Sequence, residues 1–350
     1  MNDSLGAAHS FDVLVAKSKV TEGLHAYLKP GAPQLTTLAE ALALAPEQGA
    51  APFCIILAPG VYREKVKVDR PYICIAGLDA ASTTIVWNDN ASTPGPDGER
   101  LGTFRSQTLE VLAPDFRAEH VSIVNDWDYA ANARLPKGDS KRLVNTQAVA
   151  LKTDAASMRA AFVDCHFIGE QDTIYANAGT QHFLRCSITG HIDFIFGAGQ
   201  AVFEDCDIVC LERETDDWNG WVAAPSTKHG VEHGFLFDHC RIKKVRPDMK
   251  KGSFPLGRPW HPSHAPNTDN VCVFRDCWLD DHIAPIGWTT MNSRPGGVET
   301  TYYPEDAKLF EYRSTGPGAL AQPTPVRRFL SVSDAAFYTK EHTLDGWLGA

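Results

Sequence analysis

Two aspartates occupy the same place in a repeated sequence pattern, and side chains placed in this way could do acid–base or nucleophilic chemistry. Asp172 lies seven residues after Cys165, and Asp193 lies seven residues after Cys186. If the two segments stack as neighbouring strands, the carboxylates lie one rung apart, about 5 Å. Two such groups do not both ionise readily, so one can act as an acid and the other as a base or nucleophile. Spacing alone also allows a ladder of exposed turn aspartates that binds calcium.

The residues around these aspartates favour a catalytic site over an exposed turn. Gln171, whose side-chain amide can donate hydrogen bonds, stands beside Asp172. The other flanking residues are apolar or aromatic, and carboxyl groups in such surroundings have perturbed pKa values. These flanking residues are Ile174, Tyr175, Phe194, Ile195 and Phe196.

Both aspartates belong to a larger repeat, in which a Phe stands three residues before a Cys and an apolar residue stands two after it. The cysteines follow one another at intervals of 21, 20, 34 and 37 residues. A period near 20 residues with insertions is typical of a solenoid, in which each unit forms one coil. The Cys and the residue two positions later share one face of a strand, so we expect free, buried thiols that pack rather than react. The repeat cysteines are Cys165, Cys186, Cys206, Cys240 and Cys277.

The repeat predicts an all-β protein that forms a single solenoid domain over residues 1–350. One amphipathic helix is predicted at Thr36–Ala45, with a Thr cap at its start and Pro46 after its end. We expect this helix to cover the open N-terminal end of the solenoid. The predicted parts are an N-terminal cap at about 1–50, coils at about 51–313, and a tail at about 314–350 that packs along the outside of the coils.

Composition argues against several classes of protein. Lys and Arg total 33 against 43 Asp and Glu, and the resulting net charge of −10 argues against nucleic acid as the main partner. The sequence has no run of 18 apolar residues that could cross a membrane, and residues 1–20 have no secretory signal pattern. The nine Cys and thirteen His residues show no metal-ligand spacing. We expect no metal ion and no cofactor.

Five sequence blocks stand in order along the chain. They are PGVYRE at 59–64, QAVAL at 147–151, GEQDTIY at 169–175, GHIDFIFG at 190–197 and LGRPW at 256–260. Together they resemble the signature blocks of the pectin methylesterase (pectinesterase) family, in particular those of its bacterial type. The resemblance spans roughly residues 35–348. It implies a right-handed parallel β-helix of the pectin-lyase-like kind, which agrees with the repeat.

The resemblance also implies an activity and a set of roles. The activity is hydrolysis of the methyl esters of homogalacturonan, the galacturonate polymer of pectin, to give methanol and pectate. Asp193 matches the nucleophile, and Asp172 matches the general acid that later acts as base. Gln147 and Gln171 match the donors to the oxyanion, and Arg258 matches the residue that pairs with the nucleophile. We expect a secreted, monomeric enzyme without a cofactor.

Four aromatic residues suit a cleft in which side chains stack on sugar rings. Such stacking needs an exposed ring face, and burial in the core is the alternative for each residue. The four predicted substrate-binding residues are Trp260, Trp288, Tyr175 and Phe196.

Other functions remain open from the residues alone. Paired aspartates on a solenoid could also belong to a pectic glycosidase, to a polysaccharide-binding protein or to an esterase for other acyl groups. Glu170 stands where the family usually has an aromatic residue, and a third carboxylate pointing inward would raise the pKa values of Asp172 and Asp193. The net charge of −10 predicts that de-esterified pectate is repelled, so that added salt strengthens its binding.

Overall fold

The computed structural model describes residues 10–18, 22–154, 156–213, 215, 217–347 and 349. Residues 1–9 and 19–21 of the predicted N-terminal cap, and residues 348 and 350 of the predicted tail, lie outside the described residues. Within the described ranges, no helix is both long and apolar enough to cross a membrane.

The described chain consists mainly of short β-strands joined by turns. Most strands have three to five residues, because each spans only one side of a coil. In chain order the strands are β1 Val13–Val15, β2 Gln34–Leu35, β3 Phe53–Leu57, β4 Gly60–Arg63, β5 Val66–Val68, β6 Ile73–Ala76, β7 Thr83–Trp87, β8 Leu109–Val111, β9 Arg117–Glu119, β10 Ser122–Asn125, β11 Leu151–Thr153, β12 Ala160–Val163, β13 His166–Ile168, β14 Ile174–Ala176, β15 Thr180–Leu184, β16 Ser187–Gly190, β17 Ile195–Gly197, β18 Gln200–Glu204, β19 Asp207–Cys210, β20 Ala223–Pro225, β21 Phe235–Asp238, β22 Arg241–Lys244, β23 Cys272–Arg275, β24 Trp278–Leu279, β25 Met291–Ser293, β26 Thr300–Tyr302, β27 Leu309–Tyr312 and β28 Arg328–Phe329.

The strands form three long parallel sheets that wind into a β-helix. The first sheet has the order β2-β1-β3-β6-β9-β12-β15-β18-β21-β23-β27-β28, the second β24-β22-β19-β16-β13-β10-β7-β4, and the third β20-β17-β14-β11-β8-β5. Each full coil supplies one strand to each sheet, as β12, β13 and β14 do. Equivalent residues of successive coils pair in register, Phe162 with Phe183 and Phe183 with Phe203. Outside the coils, β25 and β26 form an antiparallel pair.

The repeat motif forms the core of the coils. Adjacent Phe rings stack with centroids 4.3 to 4.7 Å apart, close to the spacing of neighbouring strands. All nine cysteines are buried and free, which confirms the prediction of a packed ladder without disulfides. The stacked phenylalanines are Phe162, Phe183, Phe203, Phe237 and Phe274.

A left-handed residue turns the chain between the first and second sheets. The residue before each repeat cysteine has a φ between 50° and 55°. This conformation changes the chain direction within one residue, so the preceding Phe and the following Cys both point into the core. The left-handed residues are Asp164, Arg185, Asp205, His239 and Asp276.

Short helices cover the ends and edges of the coils. The predicted helix at 36–45 is confirmed by α1, which begins after Thr37. The Thr37 hydroxyl accepts the Glu40 N–H at 3.2 Å, and the Glu40 carboxylate accepts the Thr37 N–H at 3.1 Å. Leu38 and Ala41 are buried, so α1 covers the N-terminal end of the core. The α-helices are α1 Leu38–Ala43, α2 Tyr129–Arg134, α3 Val332–Ala335 and α4 Lys340–Thr343, and the 3-10 helices are Glu22–Tyr27, Thr103–Arg105, Pro295–Gly297 and Pro304–Asp306.

The tail packs on the outer face of the first sheet. Strand β28 pairs with β27 in parallel at the edge of that sheet. Leu344, at the end of α4, joins a buried cluster with Val202, Leu236 and Val273, which point outward from β18, β21 and β23. This cluster gives the first sheet a second apolar layer opposite the main core.

Candidate active site

Asp172 and Asp193 lie on equivalent turns between the second and third sheets. Asp172 stands between β13 and β14, and Asp193 stands between β16 and β17. Both have left-handed backbone, with φ of 64° and 48°. Because Ile174 pairs with Ile195 in register two residues further on, the turns place the two aspartates side by side on successive coils.

A glycine three residues before each aspartate permits this turn. A Cβ on Gly169 would lie 2.7 Å from Oγ1 of Thr173, and one on Gly190 would lie 2.3 Å from Cβ of Phe194. Contacts this short do not occur between real side chains. With a larger residue in place of either glycine, the residue that follows the aspartate could not fold back beneath the turn. The Gly-x-x-Asp spacing of the two motifs is therefore a requirement of the turn itself.

The surroundings of Asp172 favour its protonated form. The residue is 8% exposed. Its burial, and secondly the negative charge of Asp193, raise its pKa well above the ordinary value, although Arg258 opposes the shift. Asp172 therefore keeps a proton at pH values where an ordinary carboxyl group has lost it.

Asp193 is held by an arginine. Arg258 donates from Nε to Oδ1 at 2.8 Å and from Nη2 to Oδ2 at 2.5 Å, a bidentate arrangement that requires a carboxylate. The ring of Trp221 lies 3.7 Å from Cζ of Arg258, and its indole N–H donates to Oγ1 of Thr289 at 2.7 Å. The Trp221 ring thus packs against the flat face of the Arg258 guanidinium and holds that group in place. It was missed in the sequence because it lies outside the motif blocks.

Two glutamines lie on adjacent coils next to the turn that carries Asp172. The Ala148 N–H donates to the Gln171 carbonyl at 3.1 Å, which places Gln147 and Gln171 on adjacent coils. Oε1 of Gln171 accepts a hydrogen bond from the Thr146 hydroxyl at 2.8 Å. The N–H groups of the Gln171 side-chain amide therefore point away from Thr146, towards other partners. Oε1 of Gln147 is buried, and no donor to it is found in the part of the chain that the structure describes. Thr146 was not predicted, although it directly precedes Gln147.

Glu170 bonds to a buried histidine. His191 accepts the Ile192 N–H at Nδ1, at 2.7 Å, so Nε2 carries the ring proton and donates to Glu170 Oε2 at 3.1 Å. Burial lowers the pKa of His191, although Glu170 opposes the shift, so the ring is neutral. The charges that act on the pKa of Asp172 are those of Asp193 and Arg258. The sequence left the effect of Glu170 open, since a raised pKa of Asp172 required an inward-pointing carboxylate; in the structure that carboxylate accepts a hydrogen bond from His191 instead.

An aromatic cluster borders the aspartates on the outer face of the third sheet. Tyr175 and Phe196 stack with centroids 4.6 Å apart but are only 6% and 3% exposed. Phe104, which is 37% exposed, covers Tyr175 at 5.0 Å, and half-buried Trp260 lies 5.6 Å from Phe196. Tyr175 and Phe196 therefore lie in the buried layer of this aromatic cluster, whereas Phe104 and Trp260 are partly exposed to solvent. Phe104 was missed because it lies far from the motifs in sequence.

The prediction that Trp288 binds substrate is wrong. Trp288 is 0% exposed and belongs to the main core, where its ring lies 5.8 Å from that of Phe274. A Cβ on Gly257 would lie 3.0 Å from Cζ3 of Trp288, so the indole packs directly beneath the backbone that carries Arg258. Trp288 fills the end of the solenoid and has no face for a sugar.

One group of potential metal ligands lies away from this site, on the turns between the first and second sheets. Ligand atoms of Asp238, His239 and Asp276 lie within 4.8 Å of one another. Arg313 donates to Asp276 at 2.6 Å, and Arg275 lies 3.7 Å from Asp238. These arginines already balance the acidic charge, so we assign no metal to the group.

The fold and the paired carboxyl groups define a solenoid enzyme, and comparison with known proteins gives its family. The pectinesterase family model matches residues 27–346. Pectinesterase A of Dickeya chrysanthemi is 35% identical over 323 residues, which cover 89% of this chain and 87% of that protein. The chain belongs to the pectinesterase family.

Solved structures agree with this assignment. A pectin methylesterase in complex with a hexasaccharide has a TM-score of 0.90 and 34% identity, covering 98% of this chain and 99% of that one. Pectin methylesterase PemA from Erwinia chrysanthemi has a TM-score of 0.88 and 32% sequence identity, covering 98% of this chain and 99% of that one. The pectin methylesterase from carrot has a TM-score of 0.75 and 26% sequence identity, covering 99% of this chain and 97% of that one. The right-handed parallel β-helix and the closer similarity to bacterial members are thus confirmed.

Proposed function

We propose that this protein is a pectin methylesterase that converts methyl-esterified homogalacturonan and water into pectate and methanol. One observation carries the proposal: Asp193 forms a bidentate ion pair with Arg258, while the adjacent Asp172 is buried and has a raised pKa. A glycosidase also uses two carboxyl groups, but its transition state develops positive charge on the sugar. The amides of Gln147 and Gln171 suit the negative oxygen of an ester intermediate instead. The relatives' names support the same reaction.

In the first half-reaction the Asp193 carboxylate attacks the carbonyl carbon of the methyl ester. Negative charge moves to the carbonyl oxygen, where the side-chain N–H groups of Gln147 and Gln171 donate hydrogen bonds. The bond from Thr146 to Gln171 Oε1, at 2.8 Å, orients that amide for this role. The bond to the methoxy group then breaks, and Asp172 gives its proton to the leaving oxygen. Methanol leaves, and an anhydride joins Asp193 to the galacturonate.

In the second half-reaction Asp172, now a carboxylate, takes a proton from a water molecule. The resulting hydroxide attacks the acyl carbon of the sugar, and the bond to Asp193 breaks. The product carboxylic acid ionises, Asp193 returns to its ion pair with Arg258, and Asp172 is again protonated. Each residue ends in the state in which it began, so the cycle can repeat.

Substrate contact and location follow from the same proposal. Phe104 and Trp260 are partly exposed, with ring centroids 6.3 Å apart, and such aromatic faces stack on sugar rings. Because the substrate belongs to cell walls, we propose that the enzyme acts outside the cell as a secreted protein. Nucleic acid and membranes have no part in this function.

The test is an assay of the purified protein on highly methylated pectin. We expect release of methanol with an equal amount of new carboxylate, and no increase in reducing ends. New reducing ends would indicate a glycosidase, and binding of pectin without any product would indicate a binding protein. Faster turnover of simple aryl acetates than of pectin would indicate an esterase for other acyl groups.

A further inference from the structure

Cys54 and Cys74 form a pair of thiols on the outer face of the first sheet. They are register partners on the neighbouring parallel strands β3 and β6. Neighbouring strands lie about 4.8 Å apart, which is within the range of about 4.4–6.8 Å that separates the Cα atoms of a disulfide. Both side chains point away from the main core, into a separate cluster that also contains Phe11 and Leu24 of the N-terminal segment. The backbone therefore places the two thiols within reach of one disulfide bond.

A pocket on the same face connects this pair of thiols with solvent. Its volume is about 220 Å³, and both cysteines line it together with Tyr72, Arg117 and Trp347. Cys54 is 5% exposed and Cys74 is 3% exposed, so the thiols lie at the base of the pocket. This volume is below the range of drug-sized sites and suits one half of a small disulfide compound.

The two thiols differ in reactivity because one donates a hydrogen bond to the other. The hydrogen bond from Cys74 lowers the pKa of Cys54, although burial opposes the shift, and the same bond raises the pKa of Cys74. The thiolate is the nucleophile in thiol–disulfide exchange, so Cys54 attacks first. The repeat cysteines differ from this pair: Cys165 is 0% exposed in the main core, and its burial raises its pKa.

We propose that Cys54 and Cys74 are a site of oxidative modification, at which a small uncharged disulfide compound enters the pocket and converts the two thiols into a disulfide bond between β3 and β6. The pocket favours an uncharged compound because Arg159 and Asp115, which line it, already pair at 2.7 Å. The proposed extracellular location supplies the oxidising conditions under which disulfides form and persist. The pair lies on the first sheet, whereas the catalytic aspartates lie between the second and third sheets, so the modification does not require the proposed reaction.

The exchange takes place in two steps. The Cys54 thiolate attacks one sulfur of the small disulfide, the S–S bond of that compound breaks, and one thiolate leaves while a mixed disulfide remains on Cys54. Cys54 is then no longer a thiolate that accepts the hydrogen bond from Cys74, so Cys74 loses its proton more easily. The Cys74 thiolate attacks the Cys54 sulfur, and the second small thiolate leaves. Two protein thiols are thereby oxidised, the small disulfide is reduced to two thiols, and the two protons lost by the protein end on those thiols.

The new bond closes one complete coil of the solenoid. The chain between Cys54 and Cys74 includes most of β3, all of β4 and β5, and the start of β6, so it passes once through each of the three sheets. In a solenoid each coil contacts only its neighbours, so a coil near the end is held by fewer contacts than a central one. A covalent ring at this end reduces the freedom of the unfolded chain. We therefore expect the oxidised protein to be more stable than the reduced protein.

The test treats the purified, reduced protein with bis(2-hydroxyethyl) disulfide and counts free thiols after denaturation. We expect two fewer than the nine thiols of the reduced chain, and a linked pair of peptides that contains Cys54 and Cys74. We also expect the oxidised wild type to have a Tm at least about 3 °C above that of the reduced wild type. In Cys74→Ser the reagent stays attached to Cys54 as a mixed disulfide, and in Cys54→Ser we expect neither an adduct nor a change in Tm. Cys272→Ala is the matched control: it removes a thiol from the main core, and we expect it to form the bond and to gain the same Tm on oxidation.

Nine free thiols after treatment, or a bond that joins other cysteines, would overturn the site. An equal Tm for the oxidised and reduced wild type would contradict it too, because a closed coil must be harder to unfold. An adduct on Cys74 in Cys54→Ser, with none on Cys54 in Cys74→Ser, would contradict the order of attack. If either serine variant does not fold, peptide mapping of the treated wild type still decides whether the bond forms, since it needs no variant.

Discussion

At the scale of residues, two identical side chains have different properties because their neighbours differ. Asp172 is enclosed beside another negative charge, whereas Asp193 accepts two hydrogen bonds from Arg258. Both aspartates also have left-handed backbone, a conformation that costs about 1–3 kcal/mol at a residue other than glycine. Strain and burial of this kind are typical of functional sites.

The raised pKa of Asp172 predicts a gain in stability when its charge is removed. The folded state binds the proton more tightly than the unfolded state, whose pKa is near 3.8. The folded protein therefore loses stability as pH rises from that value through the raised pKa. Asp172→Asn has no such loss, so we expect a higher Tm than the wild type at pH 7.5 and a smaller difference near pH 4. We also expect kcat to fall at least about 100-fold.

Thermal unfolding at the two pH values checks this prediction. A variant that is less stable than the wild type at pH 7.5, or a difference that does not depend on pH, would contradict the raised pKa. Methanol release at the wild-type rate would contradict the role of Asp172 as the acid.

The hydrogen bond between Glu170 and His191 leads to a second prediction. The ring of His191 accepts the Ile192 N–H, and the Ile192 carbonyl accepts the Asp172 N–H at 3.0 Å. Glu170→Ala removes the acceptor that fixes this ring, and we expect kcat to fall about tenfold because both catalytic turns are less well held. Glu170→Gln keeps an acceptor, and we expect a loss of only about twofold.

Steady-state kinetics of the two Glu170 variants on methylated pectin are the measurement. Equal losses of kcat in the alanine and glutamine variants would contradict the positioning role. A change in KM without a change in kcat would instead indicate direct contact between Glu170 and the substrate.

The sequence could predict residues that lie inside motifs but not residues that reach the site from elsewhere. Asp172 and Asp193 follow from spacing, since the repeat sets their register. Thr146 and Trp221 act through contacts with side chains on other coils, and nothing in their own neighbourhood indicates those contacts. Trp288 was misjudged because a buried and an exposed tryptophan look alike in sequence.

At the scale of elements, stacking of the coils is what buries their apolar residues. One coil presents its Phe and Cys to its neighbours, and the Phe rings meet at 4.3 to 4.7 Å because the strands are in register. The small thiols fill the space beside the turn, where a larger side chain would separate the coils.

The thiol ladder predicts slow chemical labelling of the native protein. Burial raises the pKa of Cys165 well above its ordinary value and does the same for the next three repeat cysteines. We expect the repeat cysteines to react with a thiol reagent only after denaturation. Cys54 is an internal comparison, because its hydrogen bond with Cys74 lowers its pKa and it is 5% exposed. We expect it to react first, and rapid native labelling of most repeat cysteines would contradict the ladder.

Regular elements could be predicted from sequence, and inserted elements could not. The coils around the repeat cysteines have a period, and α1 has a cap and an apolar face. Helix α2 and the pair β25–β26 lie in insertions without a period, so their form depends on the coils that they pack against.

At the scale of the whole molecule, both ends of the solenoid are covered. Helix α1 lies over the N-terminal end of the core. Towards the other end, fully buried Arg327 donates to Glu311 and, at 3.0 Å, to the Gly318 carbonyl. In the part of the chain that the structure describes, the first sheet ends in the two-residue strands β2 and β28, which offer little edge for a second chain to extend. We therefore predict a monomer, and light scattering should give the mass of one chain at every concentration. A mass that rises with concentration would contradict this prediction.

The central claim, that Asp193 is the nucleophile of a pectin methylesterase, is tested most directly by methanol release from highly methylated pectin by Asp193→Asn. Asp207→Asn is the control, because it removes the same charge from a surface ion pair with Arg241. We expect the wild type and Asp207→Asn to release methanol at similar rates, and Asp193→Asn to be at least about 100-fold slower while it remains folded. Methanol release by folded Asp193→Asn at the wild-type rate would contradict the claim.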